Sequence, residues 1–498
     1  MIFLGIDCGT QSTRVIALDW ESGHILASGG GEYGFVEGLP EGAFEQDPAW
    51  WVAAADAGMR EVLAALGARR NEVAGIGVSG QQHGLVLVDS TGGVLRPAKL
   101  WCDTSTTVEC EKMTRRLGGT AAALDAVGNT IRTGYTAPKI LWTATHEPHV
   151  WEKTATVLLP HDYLNFWLTG ERRMEYGDAS GTALLDVRHR RWSVRAVESV
   201  APGLAEKLPP VGSSAVPCGR LREDLRRAWG LSKAPLVSAG GGDNMMAAIG
   251  TGNVAAGEVT VSLGTSGTIF ACCENPVVDP TGEVAAFCDS TDRWLPLVCT
   301  LNLTLVTEQV RRLFGWSHGQ MDAAVAGEPA GADGLVFLPY LMGERTPDLP
   351  SARGTLTGIS LANLTPAKLA RASVEAVLLG LAHGLKKFRE LGVPVGNIRL
   401  TGGASASPVW RQLCADIFGA PTVGLDDSTG AALGAAIQAG WTHEGGGLEA
   451  LIAHCRRLIR HDPVRQDEPD AGRSAVYQDM LATSERLRET LRETEFLG

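Results

Sequence analysis

No stretch of this 498-residue sequence is apolar for long enough to span a membrane. Its ten cysteines include no Cys-x-x-Cys pair, so neither a zinc site nor a disulfide framework is expected. Free thiols in a reducing, cytoplasmic setting are the expectation instead. Positive charge is also short, with 44 Lys and Arg against 56 Asp and Glu and a formal net charge of −12. A chain so balanced carries no broad field for nucleic acid or an anionic membrane. The pattern Gly-x-x-x-x-Gly-Lys-Ser/Thr is absent, which excludes a P-loop. Any polyphosphate must therefore be held by local backbone donors and a metal. Low-complexity sequence is missing too, apart from Gly445-Gly446-Gly447. The amino-terminal run Met1 to Ile6 is apolar, lacks a basic start and meets Asp7 at once. A buried first strand is expected there rather than a signal peptide.

What is present reads as a globular α/β protein. The composition is 44% hydrophobic and 20% charged, and the length allows two or three domains with sizeable cores. The 61 glycines cluster in short loops beside strand-like stretches. Residues 2–18 read as strand, Gly-Thr-rich turn and strand, and residues 259–272 repeat that order around Gly264-Thr265-Ser266-Gly267-Thr268. Two hairpins of matching chemistry, each opening about half of the chain, predict two similar domains, 1–248 and 249–498. Between them strand-like stretches (Val73 to Ser79, Leu85 to Val88) alternate with helical ones. Asp47-Pro48 reads as an N-cap and first helical residue. Lys368 to Glu390 predicts an amphipathic helix, and Tyr477 to Phe496 a charged surface helix.

Four glycine clusters carry candidate chemistry. Gly5-Ile6-Asp7-Cys8-Gly9-Thr10-Gln11-Ser12-Thr13 offers backbone and hydroxyl donors suited to a phosphate, with a carboxylate that could hold magnesium through water. A plain hairpin turn fits the same residues. Gly75, Gly77 and Gly80 match Gly-x-Gly-x-x-Gly, but Gln81-Gln82-His83-Gly84 leads into an apolar strand rather than a helix. No dinucleotide site is expected there. Gly240-Gly241-Gly242-Asp243-Asn244 follows a strand, so Asp243 either points into a cleft or caps the next helix. Leu400-Thr401-Gly402-Gly403-Ala404-Ser405 either wraps a nucleoside or forms an ordinary strand-to-helix turn. His83, Trp101 and Asp103 could bind a sugar, or could be structural residues.

Taken together and in order, these residues resemble the FGGY carbohydrate kinases. The resemblance extends through Glu45-Gln46-Asp47-Pro48, Gly134 to Lys139, Leu159-Pro160-x-Asp162-Tyr163-Leu164, and Asp178-Ala179-Ser180-Gly181-Thr182. It continues through Pro339 to Pro347 and Ala432-Leu433-Gly434-Ala435-Ala436. It departs from the family pattern at Gln82, Cys102, Thr143 and Lys368. The resemblance implies two actin-like (ribonuclease H-like) domains with a cleft between them, the first on the sugar side and the second on the nucleotide side. It implies ATP-dependent phosphorylation of a ketopentose, D-xylulose foremost, with Asp243 as general base. Asp7 would lie at Mg2+. Gly9, Thr10, Ser12, Thr13, Gly264, Thr265 and Ser266 would hold phosphates, and Gly402, Gly403 and Ala404 would lie at the adenosine. Gln82, His83, Trp101, Asp103 and Asn244 would meet the sugar. Rival readings are the same chemistry on ribulose, fuculose, gluconate or glycerol, and a non-catalytic actin-like ATPase. The implied partners are small molecules, and dimers are common in families of this kind, so a homodimer is the assembly to test.

Overall fold

Alternation along the first strand sets the frame. In Ile2–Cys8 the even residues Ile2, Leu4, Ile6 and Cys8 join a buried apolar cluster with Trp51, Ala55, Met59 and Val62. Phe3, Gly5 and Asp7 point to the opposite face, because successive strand residues alternate sides. The computed structural model describes residues 1–425 and 430–497. Among them no helix is long and apolar enough to cross a membrane.

The chain forms two compact units that do not follow a single cut in the sequence. The first holds Met1–Ala255, Cys272–Pro296 and Thr429–Ile459; the second holds Ala256–Ala271, Leu297–Ser428 and Arg460–Gly498. In the first, the strand order is Gly219–Arg220, Leu236–Val237, Val73–Gly80, Ile2–Cys8, Ser12–Asp19 and Ile25–Glu32. Ile2–Cys8 pairs antiparallel with Ser12–Asp19 on one side and parallel with Val73–Gly80 on the other. The second unit repeats the plan. Gly257–Leu263 pairs antiparallel with Gly267–Ala271 and parallel with Val395–Thr401, which in turn pairs parallel with Thr422–Leu425. The two hairpins expected from the repeat are both present, each within a mixed sheet.

Local signals mostly carry through. Helix Pro48–Leu66 starts as predicted, with Asp47 accepting the Ala49 N–H and Pro48 in the first turn. Pro366–Glu390 is a single helix capped by Thr365. The last helix, Ala471–Glu493, is not only a surface element. Its Tyr477 is fully buried, with the hydroxyl 2.8 Å from Glu375 and 2.5 Å from Arg371.

The helix Gly430–Glu444 packs on the first unit's sheet at unusually close range. A Cβ at Gly5 would stand 1.9 Å from the Ala432 carbonyl oxygen, and one at Gly77 would stand 2.0 Å from that of Ala435. The same helix meets helix Asp243–Thr251, where a Cβ at Gly434 would stand 1.8 Å from the Met246 carbonyl oxygen. Glycines here allow backbone to touch backbone. Gly434→Ala tests this contact. Alanine adds about 1 kcal/mol of helix propensity, but the clash is with main chain and can be relieved only by moving a helix. Net destabilisation of about 1–3 kcal/mol is expected by urea unfolding. A variant as stable as the parent would refute the contact.

Candidate active site

Three parallel strand segments end together in the first unit. Cys8 is the register partner of Gly80, and Gly80 is that of Gly242. The residues at and just beyond these ends are therefore neighbours: Asp7 and Gly9, then Gln82 and His83, then Asp243 and Asn244. Carboxyl ends of parallel strands are the usual place for ligands in α/β sheets, since loops and helix starts converge there. Of the sequence-predicted set, this brings together Asp7, Gln82, His83, Asp243 and Asn244.

The bend before Asp243 is fixed from a distant segment. Gly240 has a φ of 72°, open to glycine, and a Cβ there would also stand 2.6 Å from the Val78 carbonyl oxygen. Gln438, fully buried on helix Gly430–Glu444, clamps the bend. Its Oε1 accepts from Ser238 Oγ (2.7 Å) and Gly240 N (2.8 Å), and its Nε2 donates to Gly240 O (3.0 Å). Asp243 then opens helix Asp243–Thr251, with Gly242 in the capping position. Its Oδ1 accepts from the Asn244 N–H (2.8 Å) and Asn244 Nδ2 (3.0 Å). Asn244 Nδ2 also donates to Gln82 Oε1 at 2.8 Å. Asp243 and Asn244 keep partial solvent access, whereas Gln82 and His83 are buried. Asp243 is thus not the helix cap, and its carboxylate remains within reach of a ligand.

His83 adopts a left-handed backbone (φ 66°) and stacks edge-on with Tyr135, ring centroids 5.0 Å apart. Its carbonyl accepts from buried Lys139 Nζ at 2.8 Å. Gly181 makes room for the imidazole, since a Cβ there would stand 2.3 Å from His83 Cε1. Trp101 Nε1 donates to Thr10 Oγ1 at 3.0 Å, tying the first phosphate-type loop to the sugar-side segment. Asp103 is fully buried, and its oxygens accept from Phe44 N, Lys99 Nζ, Ser105 N and Ser105 Oγ. Four acceptances use the capacity of a carboxylate, so Asp103 holds the loop rather than facing outward.

In the first loop, Tyr33 donates to the Gly9 carbonyl at 2.7 Å and lies 3.1 Å from Thr13 Oγ1. Thr13 is buried, while Gly9, Thr10 and Ser12 keep partial exposure. In the second unit, Thr304 donates to the Gly264 carbonyl through both N (3.2 Å) and Oγ1 (2.8 Å). Thr265 is exposed and Ser266 half-buried. Strands Gly257–Leu263 and Val395–Thr401 run parallel with Ser262 opposite Thr401, so the loops that follow are neighbours. A Cβ at Gly402 would stand 2.6 Å from Leu263 main chain, and Gly403 and Ala404 begin a single turn of helix beside it.

Sequence reasoning missed Gln438, Tyr33, His161 and Asp178 as members of the site. Asp178 and Asp162 lay within quoted motifs, but nothing in the string assigned them a partner. His161 is fully buried, with Nδ1 2.7 Å from Asp178 and Nε2 3.0 Å from Asp162.

The electrostatics favour a base at 243. Burial, then the negative charges of Asp7 and Asp178, raise the Asp243 carboxyl to about 7, against the lowering effect of the Asn244 donors. Helix N-terminal position also favours the anion, but loss of water and like charge win. Burial likewise raises Asp7, with the Ser79 Oγ hydrogen bond at 2.8 Å and the Arg14 charge opposing it. A folded-state value above the unfolded one means that the native state binds the proton more tightly. Stability from protonated Asp243 is therefore full below about pH 4 and is lost as pH rises through about 7. Asp243→Asn should gain stability relative to the parent above pH 7, and the gain should shrink toward pH 4. Thermal midpoints across that range would check this, and a pH-independent difference would overturn it.

Comparison with known proteins accords with this geometry. Residues 2–250 match the N-terminal domain of the FGGY family of carbohydrate kinases, and residues 259–443 match its C-terminal domain. The chain is 38% identical to a xylulose kinase of Haemophilus influenzae over 486 residues, 96% of this chain and 97% of that one. It is 35% identical to the xylulose kinase of Escherichia coli over 500 residues, 98% and 99% of the two chains. The crystal structure of a xyloylose kinase from Brucella ovis superimposes with a TM-score of 0.92 at 30% identity, covering 99% of this chain and 100% of that one. Two family domains in sequence, a duplicated sheet plan and an acid at the end of aligned parallel strands lead to one conclusion: the chain belongs to the FGGY family of carbohydrate kinases.

Proposed function

We propose that this kinase transfers the γ-phosphoryl group of ATP to the terminal hydroxyl of D-xylulose, giving D-xylulose 5-phosphate and ADP. The observation that carries the reading is the partly exposed Asp243, its carboxyl raised to about 7 by burial and like charge and joined through Asn244 to Gln82. Full-length similarity to xylulose kinases supports the choice of sugar.

Phosphoryl transfer asks mainly for positioning and charge stabilisation. Asp243 accepts the O5 proton as O5 bonds to the γ-phosphorus and the bond to the ADP oxygen breaks. Its proton affinity is roughly a thousandfold above that of a free aspartate, which suits a base working near neutral pH. Gln82, His83 and Asn244 hold the sugar hydroxyls. Thr10, Ser12 and the Gly9 backbone, with Gly264, Thr265 and Ser266, serve the phosphates, and Gly402 to Ala404 the adenosine. Asp7 fits a magnesium ion bound with the nucleotide. Ser79 occupies one of its oxygens, and magnesium is commonly held by one or two carboxylates plus substrate phosphates and water. When bound, the ion would offset phosphate charge.

A coupled ADP-release assay over xylulose, ribulose, fuculose, gluconate and glycerol tests the substrate. The highest kcat/KM should belong to D-xylulose; a better rival sugar, or ADP release without sugar, would displace the reading. Asp243→Asn should lower kcat by roughly 10²–10⁴, and near-parental turnover would remove Asp243 from the role. His83→Ala should act mainly on the sugar KM, since it deletes a contact that discriminates among sugars. An unchanged sugar KM would count against that contact.

A further inference from the structure

Behind the sugar-side residues stands a buried ion pair that the mechanism above leaves unused. His161 lies between two carboxylates, with Nδ1 hydrogen-bonded to Asp178 at 2.7 Å and Nε2 3.0 Å from Asp162 without hydrogen-bond alignment, a setting that favours the imidazolium. Burial opposes that charge, but the two carboxylates outweigh it and hold the histidine well above its usual range. The Asp178 carboxyl is raised by burial, while His161 and the Gln82 amide favour its ionised form. Glu175 fixes Asp178 from behind by accepting its N–H at 2.5 Å.

This pair abuts the catalytic bend. A Cβ at Gly240 would stand 3.1 Å from His161 Cδ2, and one at Gly242 would stand 3.1 Å from Asp178 Oδ1 and 2.7 Å from Gln82 Cγ. Asp178 Oδ1 and Gln82 Nε2 are both sealed from solvent, neither has a hydrogen-bond partner of ordinary geometry, and the Gln82 amide acts on the Asp178 carboxyl as a donor. The acceptor end of the Gln82 amide is taken by Asn244 Nδ2. Its donor end is left for Asp178, which as an anion can only accept. A neutral amide or acid at 178 would permit the reverse orientation.

We propose that His161 and Asp178 are positioning residues of the phosphoryl-transfer site. The carboxylate locks the Gln82 amide with its oxygen toward Asn244, and the histidine keeps that carboxylate ionised and in place. Asn244 and Asp243 are thereby held in one arrangement toward the sugar. The inference rests on the sugar-kinase reading above for its kinetic arm, and stands apart from it in its spectroscopic arm.

Asp178→Asn keeps shape but loses the acceptor-only character. The sugar KM should rise about tenfold or more while the ATP KM stays within about twofold, because only the sugar-side contacts are misplaced. Equal changes in both would indicate general loosening and overturn the proposal. Gln82→Glu sets two carboxylates face to face, and the double variant D178N/Q82E restores a donor facing an acceptor. Its loss in kcat/KM should be smaller than the product of the single losses. Multiplicative losses would refute the link. Independently of any sugar, the Gln82 side-chain amide resonances, identified by their disappearance in Q82E, should shift in D178N, and unchanged resonances would overturn the lock. Should D178N fail to fold, His161→Gln supplies the KM split and the amide-resonance readout. A parent enzyme that turns over none of the sugars would sink the substrate reading, and the amide resonances would still decide the positioning role.

Discussion

The site depends on a contact in which two helices meet with no side chain between them. Gly434 and Gly250 let helix Gly430–Glu444 lie against the helix that begins at Asp243; a Cβ at Gly250 would stand only 1.6 Å from the Gly430 carbonyl oxygen. Gly5 and Gly77 let the same helix lie on strands Ile2–Cys8 and Val73–Gly80, which carry Asp7 and lead to Gln82. One helix therefore references Asp7, Asp243 and the Gln82 segment to each other through main chain. Contacts made through glycine fix no side-chain rotamer, and close packing transmits position. The Gln438 clamp adds three hydrogen bonds to the same arrangement and satisfies backbone groups of the bend that would otherwise be costly to bury.

That stiffness is what makes the electrostatics tolerable. Asp7 and Asp178 push the Asp243 carboxyl up, and all three acids are raised by burial. A flexible bend would let these acids separate and regain water. Held in place, they leave Asp243 with a carboxyl raised to about 7, at some loss of stability above that pH. His161 supplies the compensating positive charge at the back of the cluster.

Much of this was legible in the string because it is local. A short apolar run marked the first strand, Val259 to Leu263 read as its counterpart, and the repeated Gly-Thr turn marked the duplication. Asp47-Pro48 marked a helix start, and three glycines before Asp243 marked a bend that a ligand could approach. What stayed hidden is non-local. A lone Gln at 438 or Tyr at 33 carries no signal until the fold brings it to Gly240 or Gly9. Asp103 resembled a sugar ligand by its place beside Trp101, yet Lys99, Ser105 and Phe44 occupy it. The charged face of the last helix suggested a surface element. Its one buried tyrosine, engaged with Arg371 and Glu375, could not be paired from sequence alone.

The return of Thr429–Ile459 to the first unit has a bearing on how the protein is made. Gln438 reaches back about two hundred residues to Ser238 and Gly240, so the bend before Asp243 is seated only after most of the polypeptide has left the ribosome. Loop closure over such spans is slow relative to local helix formation. During translation the early sheet would carry an uncovered glycine-lined face, the surface on which a chaperone or an aggregating neighbour would first act.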